Sequence, residues 1–176
     1  MDAIVPIETV KGKIYLIRGQ KVLLDSDLAT LYGVETKRLN EQVRRNIDRF
    51  PDDFMFQLKE QEVASLRSQL ATLKGGHGAH RKYTPYVFTE QGIAMLSSVL
   101  NSDRAVQVNI AIMRAFVQMR ELAASNRELG RRLDELEKKF AGHDRQFVAV
   151  FDAIREMVTP VDKKGRKIGF GQGGEG

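Results

Sequence analysis

The spacing of apolar positions changes several times along the chain, and each change marks an element. Ile14–Tyr15–Leu16–Ile17 and Val22–Leu23–Leu24 are β-prone runs around Arg18–Gly19–Gln20, which predicts a hairpin over 13–24. Leu28, Leu31 and Tyr32 then recur at helical spacing beside small Ala29, and Leu39, Val43 and Ile47 recur every four residues. This predicts two short helices over about 26–48, with Gly33 supplying the backbone that a tight turn between them requires. Phe50–Pro51 ends the second helix, because the residue before proline avoids the helical region. Phe54, Phe56 and Leu58 alternate as in a strand, and Val63, Leu66, Leu70 and Leu73 line one side of a helix over about 60–73. After a loop from Lys74 to Tyr83 come a short strand at Tyr86–Val87–Phe88 and a helix capped by Thr89, with Ile93, Leu96, Val99 and Leu100 inward.

From Asn101–Ser102–Asp103 onward a helix restarts, and one heptad frame continues through the second half. Its seam is Val108, Ile112, Ala115, Met119, Leu122, Asn126, Leu129, Leu133, Leu136, Phe140, His143, Phe147, Val150, Ile154 and Met157. Spacings that alternate four and three predict a coiled coil, and a lone asparagine at the Asn126 position sets register. Across a parallel dimer Arg132 faces Glu137 and Lys139 faces Asp144, both attractive. The alternative is a pair of helices folding back, hinged at Gly130 or Gly142. A second stripe, Val106, Ile110, Met113 and Val117, is expected to pack on the helix's own domain. The dimerisation residues are therefore Met119, Leu122, Asn126, Leu129, Leu133, Leu136, Phe140, Phe147, Val150 and Ile154.

The elements add up to an α+β fold: a small domain with a helix-turn-helix-like pair and short strands, followed by a long C-terminal helix or coiled coil. The expected organisation is a flexible N-terminus at 1–9, a domain at 10–120, a coiled-coil helix at 121–158 and a disordered tail at 159–176. That tail combines proline, glycine and lysine with almost no core formers.

Charge gives this fold a partner. The 176 residues carry a net charge of +5, and the pI near 9.5 is the footprint of a nucleic-acid binder. Between 36 and 49 stand Lys37, Arg38, Arg44, Arg45 and Arg49 against Glu41 and Asp48, and all but Arg49 fall on the side of the second helix away from its apolar stripe. A helix-turn-helix places such a face in the major groove. Arginine bonds guanine edges bidentately, Asn40 or Gln42 would do so for adenine, and other cations hold phosphates. The candidate DNA-binding residues are Lys37, Arg38, Asn40, Glu41, Arg44 and Arg45, with Arg49, Arg81 and Lys82 on phosphates. A solvated charged face is the plain alternative for this segment taken alone.

Three blocks resemble a known family in the same order. They are Leu24–Asp25–Ser26–Asp27–Leu28–Ala29–Thr30–Leu31–Tyr32–Gly33–Val34 and its continuation to Val43, then Arg49–Phe50–Pro51–Asp52–Asp53–Phe54–Met55–Phe56–Gln57–Leu58, then Phe88–Thr89–Glu90–Gln91–Gly92–Ile93–Ala94 to Asn101. Together they resemble the KilA-N DNA-binding domain family, in its phage "ORF six, N-terminal" type, over residues of about 10–120. The resemblance implies a small α+β DNA-binding domain of phage or prophage origin, with members linked to phage regulation and relatives acting as antirepressors. It supplies no contact residues.

Other signals carry less. Gly169–Phe170–Gly171–Gln172–Gly173–Gly174 has the spacing of a dinucleotide loop but follows no strand and opens no helix. His77 and His80 have ligand-like spacing with no converging cysteine or histidine, so no metal is expected. Asp52–Asp53 reads as a turn, not an acid–base pair. The chain has no cysteine, nucleophile elbow or Walker loop, so neither an enzyme nor a cofactor is expected. With no signal-peptide pattern and no apolar run long enough for a membrane span, a cytoplasmic protein is expected. The expected partners are double-stranded DNA and a second copy of the chain, in a transcription regulator of phage type. The alternative is an antirepressor that binds a repressor protein.

Overall fold

The computed structural model describes residues 5–74, 84–140 and 145–158. The order of elements is α1 (Ile7–Lys11), β1 (Tyr15–Ile17), β2 (Gln20–Leu24), α2 (Asp25–Tyr32), α3 (Thr36–Arg45), β3 (Met55–Gln57), α4 (Glu60–Lys74), β4 (Tyr86–Thr89), α5 (Glu90–Leu100), α6 (Asp103–Lys139) and α7 (Arg145–Val158). The expected α+β class is what the structure has: a four-stranded antiparallel sheet, helices around it and a long C-terminal helix. The chain divides into two compact units, Met1–Gln118 and Met119–Gly176.

In the first unit the sheet order is β1-β2-β4-β3. Arg18 and Gly19 both take positive φ (52° and 74°), the two-residue hairpin turn whose twist matches the strands it joins. Central strands β2 and β4 alternate between two cores. Leu23 and Phe88 face a large core with Leu28, Leu39, Ile93, Leu96 and Ile112, while Val22, Leu24 and Val87 face Leu58, Val63 and Leu66. The sheet is thus covered on both sides, by α4 on one and by α2, α3, α5 and α6 on the other. Burying each such side chain contributes about 1.5–3 kcal/mol.

Several expectations change. The N-terminal stretch carries α1, whose Val10 is fully buried. The period-two strand holds for Phe56 and Leu58, but Met55 on the opposite face joins the large core. Ile47, expected in the buried stripe, is 50% exposed, because α3 ends at Arg45 and a 3-10 turn over Ile47–Arg49 rotates it outward. The two stripes of α6 largely exchange roles in the first unit, although Met113 of the second stripe packs against the large core as expected. Val108, Ile112 and Ala115 of the expected seam are buried in their own domain, while Val106, Ile110 and Val117 remain 39–46% exposed. Ala105, Ala111 and Ala115 are all buried; small side chains at these positions let α6 come close to its neighbours.

In the second unit the expected continuous helix is two helices. α6 runs through Gly130 and ends at Lys139, and α7 begins at Arg145. Phe140 and Phe147 stack with ring centroids 6.4 Å apart, and Arg155 pairs with Asp134 (2.7 Å) and with Glu137. α7 therefore folds back along α6. Arg131 and then Arg132, both on Glu128, hold its carboxyl down to about 2. The charges of the expected parallel zipper are thus engaged within one chain: Arg132 with Glu128, and Glu137 with Arg155.

Candidate nucleic-acid interface

The helix pair is built by local chemistry. Asp25 and Asp27 lie in the first turn of α2, where acids favour the positive end of the helix dipole. Gly33 ends the helix with φ 71°, and the Val34 and Gly33 N–H groups donate to Ala29 O (3.0 Å) and Thr30 O (3.2 Å). A Cβ at Gly33 would lie 2.9 Å from Arg104 Nε, which itself donates to Leu31 O (3.3 Å). An α6 side chain thus closes the turn.

α3 docks through Leu39 and Val43, both buried. At 100° per residue its outward face is Lys37, Arg38, Glu41, Arg44 and Arg45. None of these five has a hydrogen-bond or ion-pair partner among the described residues. The four cations among them are exposed and gathered on one rigid surface.

The remaining candidates fall elsewhere. Asn40 turns toward the interior, donating through Nδ2 to Asp25 Oδ2 (2.9 Å). Gln42 borders a cavity of about 240 Å³ between Arg38 and Leu39 on one side and Val99 and Leu100 on the other. Arg49 donates through Nη1 to Ser98 Oγ (3.1 Å), which ties it to α5. Arg81 and Lys82 lie outside the described residues, as do His77, His80 and the tail at 159–176. Asp52 and Asp53 sit in a turn closed by the Phe54 N–H on Pro51 O (2.8 Å). Among the described residues no group of three or more His, Asp or Glu could hold a metal, and no helix is long and apolar enough to cross a membrane.

Sequence reading missed the residues that position α2 and α3. Asp25 is fully buried, and its carboxylate accepts from Ser26 N (2.7 Å), Asn40 Nδ2 and Tyr86 N (3.3 Å). One side chain thereby joins α2, α3 and β4. Tyr32 donates its hydroxyl to Asn109 Oδ1, and Asn109 Nδ2 donates to Ile93 O (3.1 Å), joining α2, α6 and α5. Burial raises the Tyr32 phenol above its ordinary value, against a smaller opposing effect of Asn109. In the sequence, Asp25 looks like any acid at a helix start, and Asn109 falls between two apolar stripes with nothing to mark it.

Residues 12–99, half of the chain, match the family described as the ORF6N domain. No curated protein and no solved structure matches the chain.

Proposed function

The chain belongs to the ORF6N domain family, a phage-associated domain, and from that membership we propose that it is a DNA-binding transcription regulator of the KilA-N kind. It acts as a binding protein, without a reaction of its own. The observation that carries the reading is the outward face of α3: Lys37, Arg38, Arg44 and Arg45 have exposed side chains without partners among the described residues, on a helix held from beneath by buried Leu39 and Val43 and by the Asn40–Asp25 hydrogen bond. A solvated surface helix has no need of such fixing, whereas base reading requires side chains held in register with the groove. Arg44 and Arg45, in the last turn of α3, act as base or phosphate ligands. Lys37 and Arg38 extend the face in the first turn of α3, and Arg49 extends the cationic surface toward α5.

One domain offers few base contacts, so the reading includes two copies joined through the second unit, each serving a half-site. The antirepressor alternative draws on the exposed leucines of that unit, which could take a repressor in place of a second copy.

The test is binding to DNA selected from random sequence, at several salt concentrations. Arg44→Ala and Arg45→Ala are each expected to weaken binding by about 1–3 kcal/mol if they read bases. A phosphate contact would instead flatten the dependence of log affinity on log salt by about one unit. Unchanged affinity and slope in both variants would remove α3 as the DNA-reading element.

A further inference from the structure

The hairpin of α6 and α7 in the second unit has two unlike sides. Its contact face is Leu133 and Phe140 on α6 against Phe147, Phe151 and Ile154 on α7, of which Leu133 and Phe151 are the described apolar side chains that become buried. Leu129 and Leu136 on α6, and Val150 and Met157 on α7, stand seven residues apart in each helix, and all four are exposed. At 100° per residue both rows are set back from the contact face in the same rotational sense, by roughly 30–90°. Because the helices are antiparallel, the same sense puts both rows on one side of the hairpin. On the other side Arg155 closes over Asp134 and Glu137. One side therefore carries surface ion pairs, with Val148 exposed beside them, and the other carries the two apolar rows.

We infer that this hairpin is half of a four-helix bundle completed by the hairpin of a second copy of the chain, with the α6 row of each copy against the α7 row of the other. The inference rests on the dimeric reading above and names how the two copies pair. Two-helix hairpins reach a packed core by this doubling, with a/d-type positions meeting across the bundle. The rows match for it: both are apolar, both repeat every seven residues, and a two-fold axis parallel to the helices sets Leu136 level with the second copy's Val150, and Leu129 level with its Met157.

Charge selects this pairing over the alternatives. Beyond its apolar row α6 carries Arg132 and Lys139, while α7 carries Ala153. Arg132 is paired with Glu128, so Lys139 carries the unbalanced charge; setting α6 against a second α6 brings the two copies of these long side chains together, whereas setting it against α7 lays their stems along alanine. A parallel zipper along the expected seam would have to break the Phe140–Phe147 stack and release Glu137 from Arg155. The proposed pairing leaves both in place. It also starts both copies of α6 from the same end of the bundle.

The chain has no cysteine, so single cysteines report on proximity without background. Full-length Leu136→Cys and Val150→Cys, carrying different tags, are co-expressed and mildly oxidised, with Leu129→Cys and Met157→Cys as a second pair should one of the first fail to fold. The expected result is a species of twice 19.9 kDa by sedimentation, with the mixed disulfide at least tenfold more abundant than either variant's disulfide with itself. A dimer whose Leu136→Cys chains cross-link to themselves, or whose mixed pair cross-links no better than each alone, overturns the proposed pairing and leaves the dimer standing. A monomer without cross-links at all working concentrations overturns the pairing and the dimeric reading together.

Discussion

Val108, Ile112 and Ala115 share a heptad frame, and a helix, with Leu122, Leu129 and Leu136, yet the first three are buried and the second three are 46–57% exposed. Around the first set stand Leu28, Phe88, Ile93 and Leu96 from strands and helices brought together by long-range pairing. Beside the second, among the described residues of its own unit, runs α7. The difference teaches that a four-three repeat specifies an apolar face and not its occupant. The first unit covers that face from its own sequence; the second leaves part of it open. Polar groups divide in the same way. The first unit buries Asp25, Thr89 and Asn109 with partners, whereas the second keeps its Arg–Glu and Arg–Asp pairs at the surface.

The sharpest way to break this contrast is through glycine. A Cβ on Gly92 would lie 2.0 Å from the Phe54 carbonyl oxygen, which already accepts from the Thr89 N–H (3.0 Å) where β4 passes into α5. Backbone meets backbone there, so neither side can yield cheaply. Gly92→Ala is expected to cost at least about 3 kcal/mol or to prevent folding, read by chemical denaturation. A midpoint close to that of the parent would mean that the packing of α5 on the turn before β3 is looser than the structure has it.

The next effect tests the buried polar network. Tyr32→Phe leaves Asn109 Oδ1 without its donor and is expected to cost about 1–3 kcal/mol at neutral pH. It should also change the alkaline limb. The Tyr32 phenol is raised in the folded state, so its contribution is complete below the ordinary tyrosine value of about 10 and is lost as pH rises beyond it, by up to about 1.4 kcal/mol per pH unit. Residues 119–158 contain no tyrosine, so the difference between parent and variant on this limb reports on the first unit. Denaturation followed from pH 8 to 11 should show a shallower fall in the variant; equal slopes would place the phenol in contact with water.

The smallest effect has the opposite sign and belongs to the second unit. Gly130 sits inside α6 with nothing within 4 Å of a built Cβ. Gly130→Ala is expected to raise stability by about 0.5–1 kcal/mol through helix propensity, seen as a higher melting temperature. A lower one would reveal a neighbour packed against that position.

Much of the local structure was legible in the residues. The hairpin around Arg18–Gly19, the turn at Gly33, the Thr89 cap and the helix restart at Ser102 follow from chemistry acting over a few residues, and the Ala105 N–H bond to Ser102 Oγ (3.1 Å) completes the last of these. The cationic side of α3 was legible for the same reason, since helical periodicity alone opposes it to Leu39 and Val43. The role of Asn40 was not. Its partner Asp25 lies 15 residues away, and Tyr86, which donates to the same carboxylate, lies 61 residues beyond Asp25. No local pattern reports an enclosure assembled from such separations.

The sequence by itself determined the elements, their turns and caps, the family and the cationic face. The tertiary structure decided which apolar faces are covered, which polar side chains are drawn inward and where the long heptad frame folds back. Periodicity is a property of one segment and its own backbone, whereas burial exists only when a second surface arrives. For Val108 and Ile112 that surface came from the same domain, while Val106 and Ile110, two positions before each of them on the same helix, were left facing away.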